Sequence, residues 1–199
     1  MMHGACNSTR RIPRQYRSRQ TVEAVLAAVP LLLKRQGPRA ITTNRIAEVA
    51  GVSIGSLYQY FPDKQSVFSA LHERHVWDVR DVLERKIAAH KSSSFSAFAV
   101  DLVEELVDLH AVDAELHRLI SVSMNEGPEH FRGALRAAFA EAIVQCGSEN
   151  ANRILFVLPN LVEGVVHGVT LSPLACRDAK GEAVKATLAY LAAHPELDR

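Results

Sequence analysis

Side chains that can hydrogen-bond phosphates and base edges are concentrated between residues 42 and 64. Thr42 and Thr43 open a predicted helix, whose N-terminal amides and hydroxyls can hold a phosphate. Arg45 in the same helical turn can reach a phosphate or a base edge. The next predicted helix begins with side chains no larger than isoleucine, which fit the floor of the major groove: Ser53, Ile54, Gly55 and Ser56. These residue types predict contact with double-stranded DNA.

The elements that must position these side chains have the pattern of a helix-turn-helix from about Thr42 to Phe61. Two helices that cross steeply need a small residue in the first helix, and Ala47 supplies it. The turn needs a residue that tolerates positive φ, and Gly51 supplies it. The apolar residues with the right spacing to fill the angle between the helices are Ile46, Ala50, Val52 and Leu57. We predict that Leu57 and Phe61 are core residues.

Apolar residues recur at helical spacing along the whole chain, and no strand-like alternation is sustained. Gly, Pro and Ser pairs separate most of the periodic segments. We therefore predict an all-α fold with about nine helices. The predicted segments are 18–36, 42–50, 54–61, 63–90, 95–111, 113–124, 129–146, 149–171 and 179–194.

Composition narrows the class of protein. With 48% hydrophobic and 23% charged residues, the chain of 199 residues can bury one or two cores. No apolar run approaches the roughly 20 residues that span a bilayer, and the N-terminus lacks the apolar stretch of a signal peptide. Three distant cysteines, Cys6, Cys146 and Cys176, fit neither a disulfide framework nor a zinc cluster. We expect a cytoplasmic protein without a membrane partner.

Charge is divided unevenly along the chain. Residues 1–75 contain 11 Lys and Arg against 4 Asp and Glu, whereas the remainder contains 12 against 18. A basic first third suits a polyanionic partner, and the acidic remainder suggests a different role. Five arginines near the N-terminus form either an arm along a minor groove or a solvated tail: Arg10, Arg11, Arg14, Arg17 and Arg19.

The segment from Ile46 to Leu71 reads IAEVAGVSIGSLYQYFPDKQSVFSAL and resembles the DNA-binding domain of TetR-family (TetR/AcrR-like) transcriptional regulators. The preceding residues 21–45 continue the resemblance, with departures at Pro30 and at Asn44-Arg45. The resemblance implies a flexible arm (1–16), a three-helix helix-turn-helix domain (17–62) and a helical effector-binding and dimerisation domain (63–199). It also implies DNA contacts from four further residues. Tyr58, Tyr60 and Lys64 would bind phosphate and Gln59 would read adenine, with a core position equally open for Tyr58.

The resemblance further implies that the last two helices form a homodimer. The segment Ile154–Leu171 is apolar nearly all round, which indicates burial on several sides. Gly164 and Gly168 share one helical face and allow a second helix to approach closely. The predicted interface consists of Gly164, Val165, Gly168, Val169, Ala183, Ala186, Leu188 and Tyr190. The alternative is that these residues form the core of a monomer.

Polar residues within apolar helices mark a candidate pocket for the small-molecule effector that the resemblance implies. The candidates are His110, His117, Asn160, Glu163 and His167, with Trp77 and Phe98 as walls. Each could instead be a structural polar group with its hydrogen bonds satisfied. His72 and His75 lack the spacing of a zinc-protease helix. No nucleophile, base and orienting group can be assembled, so we expect no metal, no cofactor and no catalysis.

These patterns lead to one hypothesis. The chain is a homodimeric repressor that binds a near-palindromic operator, and an effector releases it through the predicted long helix 63–90. An effector-independent or architectural DNA-binding protein, and an activator of the same fold, remain alternatives. A helical enzyme with a chance helix-turn-helix would require a cleft with perturbed titrating groups, which the sequence does not indicate.

Overall fold

A computed structural model describes residues 16–90, 94–111, 114–124, 129–143, 150–171 and 179–198. Regular structure in these segments is entirely helical, which confirms the predicted all-α class. The α-helices are α1 (Tyr16–Gln36), α2 (Thr43–Ala50), α3 (Ile54–Tyr60), α4 (Lys64–Ala89), α5 (Phe95–Ala111), α6 (Ala114–Met124), α7 (Glu129–Ile143), α8 (Ala151–Leu171) and α9 (Ala179–Leu191). Short 3₁₀ turns lie at Pro38–Ala40 and Pro195–Asp198. Within the described segments, no helix is long and apolar enough to cross a membrane.

The helices form two compact units, and the first comprises Met1–His75 together with Glu115–Asn125. Its core lies between α1, α2, α3 and the first turns of α4. The apolar residues that pack there are almost fully buried, among them Val25, Leu32, Ile46, Leu57, Phe61 and Val67. This core fixes the angle between α2 and α3, and Leu57 and Phe61 are core residues as the sequence predicted.

Helix α6 packs in the first unit although it follows α5 in the chain. Leu116 and Ile120 are buried in the same core as α1–α4. The side-chain amide of Gln65 donates a hydrogen bond of 2.9 Å to the carbonyl of Ser123. The first unit therefore takes in α6 and residues beyond 62, which the boundaries predicted from sequence did not include.

The second unit comprises Val76–Ala114 and Glu126–Arg199. Its core contains the later turns of α4 with α5, α7, α8 and α9. It includes three phenylalanine rings whose centroids lie about 6 Å apart: Phe95, Phe98 and Phe139. The ammonium of Lys86 on α4 bridges the carboxylates of Asp101 and Glu105 on α5. Since Lys86 is only 14% exposed, these ion pairs keep its charge compensated.

Gly51 ends α2 in the left-handed conformation, with φ 67° and ψ 28°. A Cβ atom at this position would meet nothing within 4 Å, so a side chain there is opposed by backbone conformation alone. We expect Gly51→Ala to lower the free energy of unfolding by about 1 kcal/mol. Gly51→Asn should cost less, because Asn tolerates this region. Urea unfolding of the two variants measures the difference, and equal losses would contradict the explanation.

Candidate nucleic-acid interface

Two side-chain caps define the N-termini of α2 and α3. Thr42 caps α2, and its hydroxyl accepts a hydrogen bond of 3.3 Å from the amide of Arg45. Ser53 caps α3 and accepts one of 3.0 Å from the amide of Ser56. Caps of this kind accept hydrogen bonds from backbone amides of the first turn that lack partners within the helix, and they hold the helix ends in place. Both helices therefore begin where the sequence predicted contact with DNA.

A hydrogen bond joins the N-terminus of α2 to the exposed side of α3. The hydroxyls of Thr43 and Tyr58 lie 3.1 Å apart, and Tyr58 is 42% exposed. The ring of Tyr58 is thus a surface group held by a neighbouring helix. Each hydroxyl has one proton, so while one hydroxyl donates to the other, the second keeps a proton that can be donated to an external acceptor such as a phosphate oxygen.

Helix α3 and its cap present small and polar side chains and one isoleucine to solvent, and other apolar side chains to the core. Ser53, Ile54, Gly55 and Gln59 are exposed, and Ser56 is half-buried. Tyr60 is only 8% exposed and packs among the core residues of the first unit. Its ring is therefore structural, and its proposed hydroxyl contact with phosphate stays a prediction.

Two cations border this surface. Lys64 is exposed at the first residue of α4, and its ammonium lies 5.7 Å from the ring centroid of Phe68. Arg45 is held by the carboxylate of Glu48 and by the side-chain carbonyl of Gln36. Lys64 is therefore an exposed cation whose contact with phosphate stays a prediction, whereas Arg45 already has partners. Residues 1–15 and the side chain of Arg17 lie outside the described part, so only Arg19 of the basic arm is seen, and it is exposed.

In the second unit, three of the predicted pocket residues lie together. His110 is 1% exposed, and its Nδ1–H donates a hydrogen bond of 2.7 Å to the carbonyl of Leu106. The imidazoles of His110 and His167 meet edge to face at 5.3 Å. Glu163 lies one turn before His167, with their carboxylate oxygen and Nδ1 3.2 Å apart. Burial lowers the pKa of His167, and the Glu163 carboxylate opposes that shift.

Phe131 of α7 completes this cluster and was not predicted. Its ring centroid lies 5.4 Å from that of His110 and 5.0 Å from that of His167. The available signal was that Phe131, Leu135 and Phe139 follow one another at intervals of four residues, and the last two are fully buried. We refer to His110, Phe131, Glu163 and His167 as the histidine cluster.

The other predicted pocket residues differ in their exposure and in their partners. Trp77 is 66% exposed and stacks against Arg80, and Asn160 is exposed and accepts a hydrogen bond from Arg132. Phe98 is 3% exposed within the aromatic core described above. His117 lies in the first unit, where its ring meets that of His75 at 4.6 Å. Within the second unit, Trp77 and Asn160 are therefore surface residues, whereas His110, Glu163 and His167 lie together.

The predicted interface residues fall into two groups. Gly164, Gly168 and Leu188 are exposed, and a Cβ atom at either glycine would meet nothing within 4 Å. Ala183 is 1% exposed in the core of its own unit. Val165, Ala186 and Tyr190 are half-buried, and the side chain of Val169 lies outside the described part. Phe156 is 68% exposed on the same face of α8 as the glycines and was not predicted.

Comparisons with known proteins agree with this arrangement. Residues 26–71 match the family model for bacterial regulatory proteins of the tetR family. The nucleoid occlusion factor SlmA of Haemophilus ducreyi is 45% identical over 58 residues, which are 29% of this chain and 27% of that protein. The HTH-type transcriptional regulator YvkB of Bacillus subtilis is 37% identical over 67 residues, 34% of this chain and 35% of that protein. The chain thus matches about a third or less of the length of these relatives.

Solved structures extend the likeness over most of the chain. A TetR-family regulator from Mesorhizobium loti has a TM-score of 0.69 at 16% identity and covers 90% of this chain and 98% of its own. A second TetR-family regulator, from Pectobacterium atrosepticum, has a TM-score of 0.67 at 13% identity. The match covers 90% of this chain and 96% of the other. At this identity the likeness shows the fold. The chain is a helical protein with an N-terminal helix-turn-helix, and residues 26–71 of that part match the model of the tetR family of bacterial regulatory proteins.

Proposed function

We propose that this protein is a homodimeric transcriptional regulator, a repressor that a small-molecule effector releases from its DNA operator. The observation that carries the proposal is the exposed surface formed by α3 and the N-terminus of α2. There, hydrogen-bonding side chains face solvent while Leu57 and Phe61 anchor the helix in the core. An exposed, capped, short helix with small residues at its start has the form that enters a major groove.

Each residue of this surface takes a role that follows from its placement. In the hydroxyl pair of Thr43 and Tyr58, one hydroxyl donates to the other and the second donates its proton to a phosphate oxygen, while Lys64 attracts the backbone. Gln59 lies one turn after Gly55 on the exposed side of α3, and its amide can pair with the N6 and N7 atoms of adenine. The phosphate contacts hold the helix in register, and Gln59 contributes sequence preference.

Homodimerisation is proposed to use one face of α8 with α9. Phe156, Gly164 and Gly168 are exposed on that face, and Leu188 of α9 is 43% exposed. Glycines that meet nothing within 4 Å leave room for a second helix to approach closely. Because Ala183 is buried in its own unit, the proposed face omits it. Two copies would present two recognition helices to successive major grooves.

Effector binding is proposed at the histidine cluster. The cluster places a carboxylate and two imidazoles beside a phenylalanine in the interior of the second unit, and such mixed polar and apolar groups recognise small molecules. Helix α4 contributes residues to the cores of both units and is the proposed route of coupling. An effector induces release only if it binds the DNA-incompetent state more tightly.

Paired substitutions on α3 test the DNA-binding proposal. An operator is first selected from a random duplex library, and affinities are then measured by fluorescence anisotropy across salt concentrations. Tyr58→Phe should weaken binding to all sequences by a similar factor, because it removes a phosphate contact. Gln59→Ala should remove about 1–3 kcal/mol of discrimination at one base pair.

The same measurement can contradict the proposal. Failure of the wild-type protein to retain DNA in a salt-dependent, sequence-preferring manner would refute DNA binding. Equal losses for the two variants, accompanied by loss of helical circular dichroism, would instead show that both residues are structural.

An effector-independent DNA-binding protein is the second candidate. This second candidate is favoured by the 45% identity, over a stretch of 58 residues, with a protein named a nucleoid occlusion factor. The candidates differ in what the second unit does. A small molecule that lowers operator affinity in the wild-type protein, but not after Glu163→Gln, would support the regulator with an effector. If the small molecule still lowers the operator affinity of the Glu163→Gln variant, the histidine cluster is not the site through which the effector releases DNA.

A further inference from the structure

Arg45 is held by two partners from different helices. One of its guanidinium nitrogens, Nη1, pairs with the Glu48 carboxylate one turn further along α2. The other, Nη2, donates a hydrogen bond of 3.1 Å to the side-chain carbonyl of Gln36 at the end of α1. The side chains of Arg45 and Glu48 are 39% and 64% exposed, so the pair lies at the surface.

The ion pair of Arg45 and Glu48 lies beside the proposed DNA-binding surface and so affects how that surface attracts DNA. Arg45 lies in the first turn of α2, two residues after Thr43, whose hydroxyl bonds that of Tyr58. An arginine that is unrestrained at such a surface attracts any phosphate, whatever the base sequence. While Glu48 is bound, the two charges compensate each other and that attraction is weakened.

We propose that Glu48 is a specificity-determining residue, which together with Gln36 holds Arg45 away from non-specific contact with DNA phosphates. The inference rests on the proposed DNA-binding function. An exposed ion pair is weak, so a well-placed phosphate or base edge can displace Glu48 and engage Arg45. DNA that does not fit the surface leaves the pair intact. Glu48 acts here through Arg45 and is a positioning residue.

The test uses Glu48→Gln and a matched control, Glu23→Gln. Glu23 pairs with Arg74 in the same unit, and those side chains are 68% and 43% exposed, nearly the exposure of the first pair. Affinity is measured by anisotropy for a labelled duplex of mixed sequence and for the selected operator. Glu48→Gln should tighten binding to the mixed duplex about threefold and operator binding by less. The salt dependence of DNA binding by the Glu48→Gln variant should steepen by about one phosphate contact. Glu23→Gln should change neither the affinity nor its salt dependence.

A double-mutant cycle separates this role from simple repulsion between Glu48 and phosphate. If Glu48 acts through Arg45, Glu48→Gln should have no effect in an Arg45→Gln background, and Gln36→Ala should reproduce part of its effect. An equal effect in both backgrounds, or no effect beyond that of Glu23→Gln, would overturn the inference while leaving wild-type DNA binding established. Absence of DNA binding by the wild-type protein would overturn the proposed function, and the inference with it.

Discussion

Phe61→Ala is expected to destabilise the first unit by about 3–5 kcal/mol and to abolish DNA binding at physiological temperature. Phe61 is fully buried where α3 ends, and its ring packs among residues of α1, α3 and α4. Removing the ring leaves a cavity at the point that fixes the direction of the recognition helix. The loss is a large part of the roughly 5–15 kcal/mol that stabilises a typical domain.

Phe61→Leu provides the control, because it retains most of the side-chain volume and should cost about 1 kcal/mol. Urea unfolding followed by circular dichroism gives the free energies, and hydrogen exchange locates the loss. The expected pattern is early exchange in α1–α3 of the alanine variant. Similar unfolding free energies for the alanine and leucine variants would show that the ring does not support the unit.

Phe156→Asp is expected to convert the proposed homodimer to a monomer. An aromatic side chain that is 68% exposed in the single chain would be buried between two copies, where aromatic residues commonly contribute about 2 kcal/mol or more. A carboxylate at the same place would add a desolvation penalty. We expect the dimer dissociation constant to rise at least about thirtyfold. Operator affinity should fall as well, because one recognition helix buries too little surface alone.

Sedimentation velocity over a range of protein concentrations measures this change. Leu31→Asp is the matched control, since Leu31 is an exposed apolar residue of α1 in the first unit, 46% exposed. It should leave the oligomeric state unchanged. A Phe156→Asp protein that remains dimeric at the same concentration as the wild type would exclude this face of α8 from the interface.

Local signals predicted most of the helices and the elements of the helix-turn-helix. Caps at Thr42 and Ser53 and the turn at Gly51 are encoded within four residues of the positions that they determine. Helical periodicity also distinguished the buried Leu57 from the exposed Gln59. These features could be found because their physical causes lie within one helical turn.

Features that depend on contacts between distant residues were not predictable in the same way. Tyr58 and Tyr60 have the same chemistry two positions apart, and only the packing of the first unit shows that Tyr60 is buried. Gln36 could not be identified as a partner of Arg45 without the geometry of α1 and α2, whereas Glu48 lies within one turn of Arg45 in the same helix. A search for polar residues in apolar helices found His110 and His167 but could not find Phe131, whose ring contacts both.

The return of the chain to the first unit through α6 has a consequence for protein engineering. Residues 26–71, the segment that matches the family, do not contain all of the apolar side chains that fill their core, because Leu116 and Ile120 belong to it as well. A chimaera that joins residues 1–75 to a foreign sensor would leave that part of the core open to water. A functional graft therefore has to carry α6, or a replacement with the same apolar face, as a second insert.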